Sequence, residues 1–279
     1  MSRYVRPHSL DEALRTLSSG GLNVLAGGTD FYPAHVAAGI TEDILDITAI
    51  DELRGVRETE QGFVIGALTT WSDIAVAKLP AQFDCLKLAA REIGGAQIQN
   101  AATVGGNLCN ASPAADGVPA LLALDAEVEI AHARARRVLP LDRFITGNRR
   151  TACAPGELVT AIRVPRWGDA ARSHFVKLGA RRYLVISIAM VAGIVEPDAH
   201  GKIARCAFAV GSCSAVAQRL AALERALTGQ ALGPDLPECV RAEHLGALAP
   251  ITDVRGTAEY RADAALALVR RTLAVLAGE

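Results

Sequence analysis

Asn100-Ala101-Ala102-Thr103-Val104-Gly105-Gly106-Asn107-Leu108-Cys109-Asn110-Ala111-Ser112-Pro113-Ala114-Ala115-Asp116 is the stretch around which the rest of the chain is organised. It is too small-residued for a core and too apolar for a surface linker. Gly105-Gly106 predicts a tight backbone turn and close approach of a ligand to the main chain, because no Cβ stands in the way. Thr103, Asn107, Asn110 and Ser112 supply short hydrogen-bonding groups. Ser112-Pro113 punctuates the segment, and Asp116 stands just before the apolar run 118–124. A loop of exposed N–H groups beside a helix start suits an anion such as a pyrophosphate. Taken alone, a Gly-Gly pair is explained as well by a turn between a strand and a helix.

A second stretch repeats the chemistry. Asn23-Val24-Leu25-Ala26-Gly27-Gly28-Thr29-Asp30-Phe31 runs from an apolar strand into Gly-Gly, a hydroxyl and a carboxylate. Two such loops can hold a large, bent, phosphate-bearing cofactor from both sides. Neither carries the Gly-x-Gly-x-x-Gly dinucleotide fingerprint or the Gly-Lys-Ser/Thr of a P-loop.

The chain has 279 residues, enough for one large or two ordinary domains, and 51% hydrophobic residues, ample for a core. With a net charge of −1, its densest basic cluster is Arg134-Ala135-Arg136-Arg137. That cluster reads as a solvated strand end, and no basic face for nucleic acid is expected. The N-terminus lacks a signal-peptide pattern. No apolar run reaches the roughly 20 residues needed to span a bilayer, so a soluble, cytoplasmic protein is expected. The longest run, 183–195, predicts a buried strand. None of the six cysteines forms a Cys-x-x-Cys. Iron–sulfur and zinc sites need clustered thiolates, so buried inert thiols are expected.

In chain order, Ser9 and Glu12 form a capping box for a first helix that ends at Gly20-Gly21. Strands are predicted at 22–25, 44–47, 63–67, 127–131 and 158–165. Helices are predicted after Thr70, over 83–92 and over 118–124. Gly94-Gly95 reads as a helix C-cap. Beyond Pro165 the texture changes to three strands, 174–180, 185–196 and 203–210. Helices follow over 215–227, 236–248 and 259–277. Three strands and then helices make an α+β domain.

The order of motifs resembles the FAD-binding medium subunits of the molybdenum hydroxylases, the xanthine dehydrogenase and carbon monoxide dehydrogenase family. The resemblance runs through residues 26–31, 47–53, 65–70, 91–125, 156–165 and 175–179. It is strong over 1–195 and weaker beyond. Thr-Val-Gly-Gly-Asn followed by Ala-Ser-Pro-x-x-Asp is its most specific part. It implies an α+β chain with a two-subdomain FAD-binding fold of the vanillyl-alcohol oxidase/PCMH type, then a C-terminal domain of three-stranded sheet plus helices. The boundaries expected are 1–55, 56–168 and 169–279. The cysteine cluster that some relatives insert after the second loop has no counterpart between Asp116 and Asp142.

The resemblance also implies roles for residues. Val24, Leu25, Ala26, Gly27, Gly28, Thr29, Asp30 and Phe31 would form the first FAD loop, with the two glycines donating N–H groups to the pyrophosphate. Ala102, Thr103, Gly105, Gly106 and Asn107 would bind its other side. Ile93 would lie over the cofactor, and Leu158 or Val159 would touch the adenine. Two readings stand for Asp30, a flavin-bordering anchor or a helix N-cap. Asp116 would bond the adenosine side or cap a helix. Lys177 would stand beside the flavin and raise its reduction potential, or be an exposed strand lysine. Arg181-Arg182-Tyr183-Leu184 departs from the family pattern and leaves the electron acceptor open. No histidine has partner spacing suited to catalysis, and no metal site is expected on this chain.

The function so implied is electron transfer. Electrons from a molybdopterin-bearing large subunit would pass through the iron–sulfur clusters, of the two-iron type, of a small subunit to FAD here. They would leave to NAD+, quinone, oxygen or another acceptor. A dimer of heterotrimers is the implied assembly. The alternatives are a self-contained FAD oxidase or reductase of the same fold, which needs acid–base residues not found here, and a non-catalytic flavin-binding module.

Overall fold

The computed structural model describes residues 2–37 and 39–278. The first part is a small parallel sheet: β1 (Tyr4–Val5), helix α1 (Leu10–Leu17), β2 (Leu22–Leu25), the single-turn α2 (Phe31–Ala34) and β3 (Asp43–Asp46), in the order β1-β3-β2. The Ser9 hydroxyl accepts from the Glu12 N–H as the capping pattern predicts, and Leu10, Ala13, Leu14 and Leu17 are buried. They pack on Leu45, Ile47 and Ile50, as the spacing of apolar residues along α1 requires.

The second part begins with β4 (Val56–Thr59) and β5 (Gly62–Gly66), then helices α3 (Trp71–Val76), α4 (Asp84–Glu92), α5 (Ala96–Ala101), α6 (Val104–Asn110) and α7 (Gly117–Ala123). There follow β6 (Glu127–His132), β7 (Ala135–Pro140), α8 (Leu141–Phe144), the hairpin β8 (Ile145–Gly147) with β9 (Arg150–Thr151), and β10 (Leu158–Pro165). Its main sheet has the order β4-β5-β10-β6-β7, with β10 antiparallel to both β5 and β6. The Thr70–Asp73 capping box is formed. The Gly94-Gly95 pair divides its work: Gly94 takes φ +56 just past α4, and Gly95 is the N-cap of α5.

The third part is a sheet of β11 (Arg172–Leu178), β12 (Ala189–Pro197), β13 (Ile203–Gly211) and β14 (Gln218–Arg219), all antiparallel, with α9 (Ala221–Leu227) and α10 (Ala258–Ala277). One face carries α10, whose Ala265, Val269, Leu273 and Leu276 are buried against Val191, Phe208 and Val210. The other face receives α7, every residue of which is buried.

Several expectations are corrected. The stretch 100–116 is not an exposed turn. Residues 104–110 are helical, and Val104, Gly105, Leu108, Ala111 and Ala115 belong to the core, because small residues let α6 lie close to Ala67. The expected strand over 183–195 starts only at Ala189, and Tyr183, Leu184 and Ile186 are exposed. The C-terminal sheet has a fourth strand, β14, where a helix over 215–227 was predicted; Arg219 there pairs with Asp125 and Glu224. The predicted helix 236–248 is two 3-10 turns, Leu236–Cys239 and Ala242–Leu245, separated by the extended Val240 and Arg241. Cys109 and Cys239 are exposed rather than buried.

Arg261 of α10 is buried and donates to the carbonyls of Ile188 (2.6 Å) and Ser212 (3.0 Å) and to Asp253 Oδ1 (2.7 Å). The Arg255 main-chain N–H, then Arg261, hold the Asp253 carboxyl down to about 2 from an ordinary 3.8. A carboxyl depressed in the folded state adds stability above its unfolded pKa and loses it as pH falls toward the folded one. Asp253→Asn is therefore expected to flatten the loss of stability between pH 4 and pH 2. Urea denaturation across that window checks this, and curves parallel to wild type would refute it.

Candidate functional site

The two Gly-Gly segments meet face to face. A Cβ at Gly27 would lie 2.0 Å from the Ala101 carbonyl oxygen and 2.9 Å from Ala102 Cα, so only glycine lets the two chains touch. Beside that contact opens a cleft of about 940 Å³, at the upper end of the ~300–1,000 Å³ usual for ligand sites. Its lining includes Val24, Leu25, Ala26, Gly27, Gly28, Thr29, Asp30 and Phe31 from one side. Ala102, Thr103, Gly105, Gly106 and Asn107 line the other, with Ile93, Leu158 and Val159.

The two loops are not equivalent. Around the second, every N–H from 104 to 107 has an acceptor within the protein. Val104 donates to the Thr69 carbonyl and Gly105 to that of Ala67, each at 2.9 Å. Gly106 donates to Thr103 Oγ1 (3.0 Å), which caps α6, and Asn107 to the Thr103 carbonyl. The expected display of free N–H groups is therefore absent there. In the first loop, the N–H groups of Gly27, Gly28, Thr29 and Asp30 find no acceptor among the described residues. Consecutive unpaired N–H groups on a cleft wall form a nest for an anion. Asn107 Oδ1 is buried without a partner on the α7 side, 3.1 Å from where a Cβ on Gly117 would stand, and so lacks a donor.

Asp30 occupies the N-cap position of α2 but makes no capping bond with its side chain. Its carboxylate instead accepts from Asn110 Nδ2 at 2.8 Å and faces the Arg149 guanidinium at 3.8 Å, linking the first loop to the end of α6. Asp116 and Lys177 do not line the cleft; they pair with each other behind its wall at 2.6 Å. Ser187 donates to the same carboxylate, and Lys177 Nζ also donates to the Glu92 carbonyl (3.2 Å), next to Ile93. Burial pushes the Asp116 carboxyl above its usual range, with Lys177 and then Ser187 pulling against it. Asp116 precedes α7, whereas Lys177 and Ser187 belong to the C-terminal part, so the cluster joins the two.

Sequence reading missed Arg149, Asn110, Cys109, Cys153 and His35 as lining residues. Asn110 had been noted only as a short polar group. Arg149 lies in the β8–β9 turn, for which the dipeptide Gly147-Asn148 was the available signal. Among the described residues no group of three or more His, Cys, Asp or Glu could hold a metal ion, and no helix is long and apolar enough to cross a membrane.

Unpaired N–H groups on the wall of a cleft suit an anionic group. Residues 1–167 match the family described as FAD binding domain in molybdopterin dehydrogenase, and residues 174–276 match the CO dehydrogenase flavoprotein C-terminal domain. The chain is 32% identical to the 6-hydroxypseudooxynicotine dehydrogenase complex subunit alpha of Paenarthrobacter nicotinovorans, over 97% of this chain and 93% of that one. It is 31% identical to a putative xanthine dehydrogenase FAD-binding subunit of Escherichia coli, over 92% and 90%. The structure of reconstituted CO dehydrogenase from Oligotropha carboxidovorans superposes with a TM-score of 0.90 at 27% identity, over 98% of this chain and 96% of that one. The chain belongs to this family, the FAD-binding medium subunits of the molybdenum hydroxylases, and is an oxidoreductase component.

Two substitutions separate cleft from wall. Gly27→Ala is expected to force the loops apart and weaken FAD binding at least tenfold, read by flavin fluorescence on the apoprotein; unchanged affinity would sink the loop-contact account. Lys177→Met leaves the Asp116 carboxylate buried without its cation, which costs about 3–5 kcal/mol. Urea denaturation of the apoprotein checks this, and wild-type stability would show that the pair is not a structural lock.

Proposed function

We propose that this chain is the electron relay of a molybdenum hydroxylase, with FAD seated in the cleft between the two Gly-Gly segments. The observation that carries this reading is the row of unpaired N–H groups from Gly27 to Asp30 on the wall of that cleft. Those donors would take the diphosphate oxygens, each charge-assisted bond contributing on the order of 1.5–3 kcal/mol. Asn107 would border the cofactor from the other wall of the cleft. Ile93, Leu158 and Val159 would pack on the ring systems and exclude water. Asp116 and Lys177 would act on the cofactor through the wall, by fixing the Glu92–Ile93 segment. FAD, when bound, supplies exchange of electrons singly or in pairs, which suits a junction between one-electron and two-electron carriers.

The domain division that goes with this reading is 1–55, 56–168 and 169–279. The partners are a molybdopterin-bearing large subunit and a small subunit with iron–sulfur clusters, assembled as a dimer of heterotrimers in the cytoplasm. Substrate oxidation belongs to the large subunit, and the acceptor is NAD+, quinone, oxygen or another carrier. Reconstitution tests the relay. Mixed with its partner chains, FAD-loaded protein is expected to restore electron flow from substrate to acceptor, and FAD-free protein is not. Equal restoration by FAD-free protein would reduce this chain to a scaffold. Turnover by the FAD-loaded chain alone would favour the self-contained oxidase.

A further inference from the structure

Arg149 is held over the rim of the cleft at a backbone position that disfavours it. The turn between β8 and β9 contains Asn148 and Arg149, and Arg149 takes φ +58. Short hairpin turns place glycine at such a left-handed position; an arginine there is strained by its Cβ. The conformation is enforced by its own N–H, which donates to the Ala111 carbonyl at 2.9 Å. That bond ties the hairpin to the C-cap of α6.

The side chain so placed points across the cleft. Its Nη1 donates to Asn110 Oδ1, and its Nη2 lies 3.8 Å from Asp30 Oδ1, too far for a hydrogen bond. The guanidinium is more than half exposed, and donors remain free on it. Among the described residues that line the cleft it is the only Lys or Arg. Asp30 is also the last residue of the unpaired N–H row, so the guanidinium stands beside the anion nest. A nest of neutral amides shares its cleft with the Asp30 carboxylate, which repels an anion; the other carboxylate there, Glu157, is already paired with Arg137 at 2.7 Å. A diphosphate needs a cation there, and a planar guanidinium fork matches phosphate oxygens.

We infer that Arg149 is the cation that binds the cofactor's diphosphate, swinging from the Asp30–Asn110 latch to the phosphates and so closing the rim over them. This rests on the reading of the cleft as the FAD site. It adds a charged clamp from a hairpin outside both Gly-Gly loops.

The test is Arg149→Gly, with Arg149→Lys beside it. Glycine suits φ +58, so the Arg149→Gly apoprotein is expected to melt no lower than wild type. Its Kd for FAD, by flavin fluorescence, is expected to rise tenfold or more, and its affinity for ADP, by competition, to fall in parallel. Arg149→Lys keeps the charge without the fork and is expected to fall between. Weakening by added salt should be shallower in Arg149→Gly than in wild type. Wild-type affinity in Arg149→Gly would overturn the assignment, as would weakened FAD binding with ADP unaffected, which would put the arginine away from the diphosphate. Failure of the wild-type apoprotein itself to bind FAD would instead overturn the reading of the cleft.

Discussion

Everything about the site depends on one close approach, the Gly27 backbone against the Ala101 carbonyl. A methyl group at Gly27 would stand 2.0 Å from that oxygen. Because it is missing, the parallel β1-β3-β2 sheet docks against the helical layer of the second part, and the space beside the contact becomes the cleft. The asymmetry of the loops follows. Helix α6 turns back against the end of β5, so Ala67 and Thr69 consume its first N–H groups. The first loop leaves its strand into open space and keeps its donors. One loop therefore keeps its donors free, and the other is chiefly the wall that faces it.

The C-terminal part is built to hold that wall. Helix α7 is buried on all sides between α4 and the sheet of β12 and β13. Asp116 at its start meets Lys177 and Ser187, and the next residue, Ile188, is held by Arg261. Two consecutive anchors thus fix the chain just after the exposed Tyr183, Leu184 and Ile186. Leu184 Cδ2 comes within 3.2 Å of where a Cβ on Gly95 would stand, which brings this segment to α5, near Ile93 and Ile98 of the cleft. The cofactor-binding half and the C-terminal half share one load path. A buried ion pair of this kind adds little net stability, but removing either member leaves an uncompensated charge.

Helices with complete local signals were legible from sequence. Ser9 and Thr70 cap their helices as read, and α10, capped by Thr257, runs over Ala258–Ala277 against an expected 259–277. Among the strands, β10 was legible from alternation over 158–165 and β13 as a strand over 203–210. The failures share a cause. The run 183–195 is apolar but for Ser187, yet its first residues are exposed, because hydrophobicity alone does not say where a strand finds its partner. The short β14 exists through pairing with β13 and the ion pairs of Arg219, which link residues about 95 positions apart in sequence to Asp125. The β8–β9 hairpin was overlooked because its strands are too short to show alternation.

The sequence by itself determined that Gly27-Gly28 follows an apolar strand, that the cysteines are not clustered, and which residues sit beside each glycine pair. These are properties of residue type and short spacing, and they sufficed to reach the family by resemblance. The tertiary structure alone decided which loop keeps its N–H groups free, that Asp116 and Lys177 pair behind the cleft, and that Arg149 reaches its rim. The physical reason is common to all three. A donor is free, a charge is paired, or a side chain reaches a cleft only in relation to groups from distant parts of the chain. Ala67 and Thr69 take the α6 donors, Lys177 meets Asp116 from across a domain junction, and the Ala111 carbonyl holds the turn that aims Arg149.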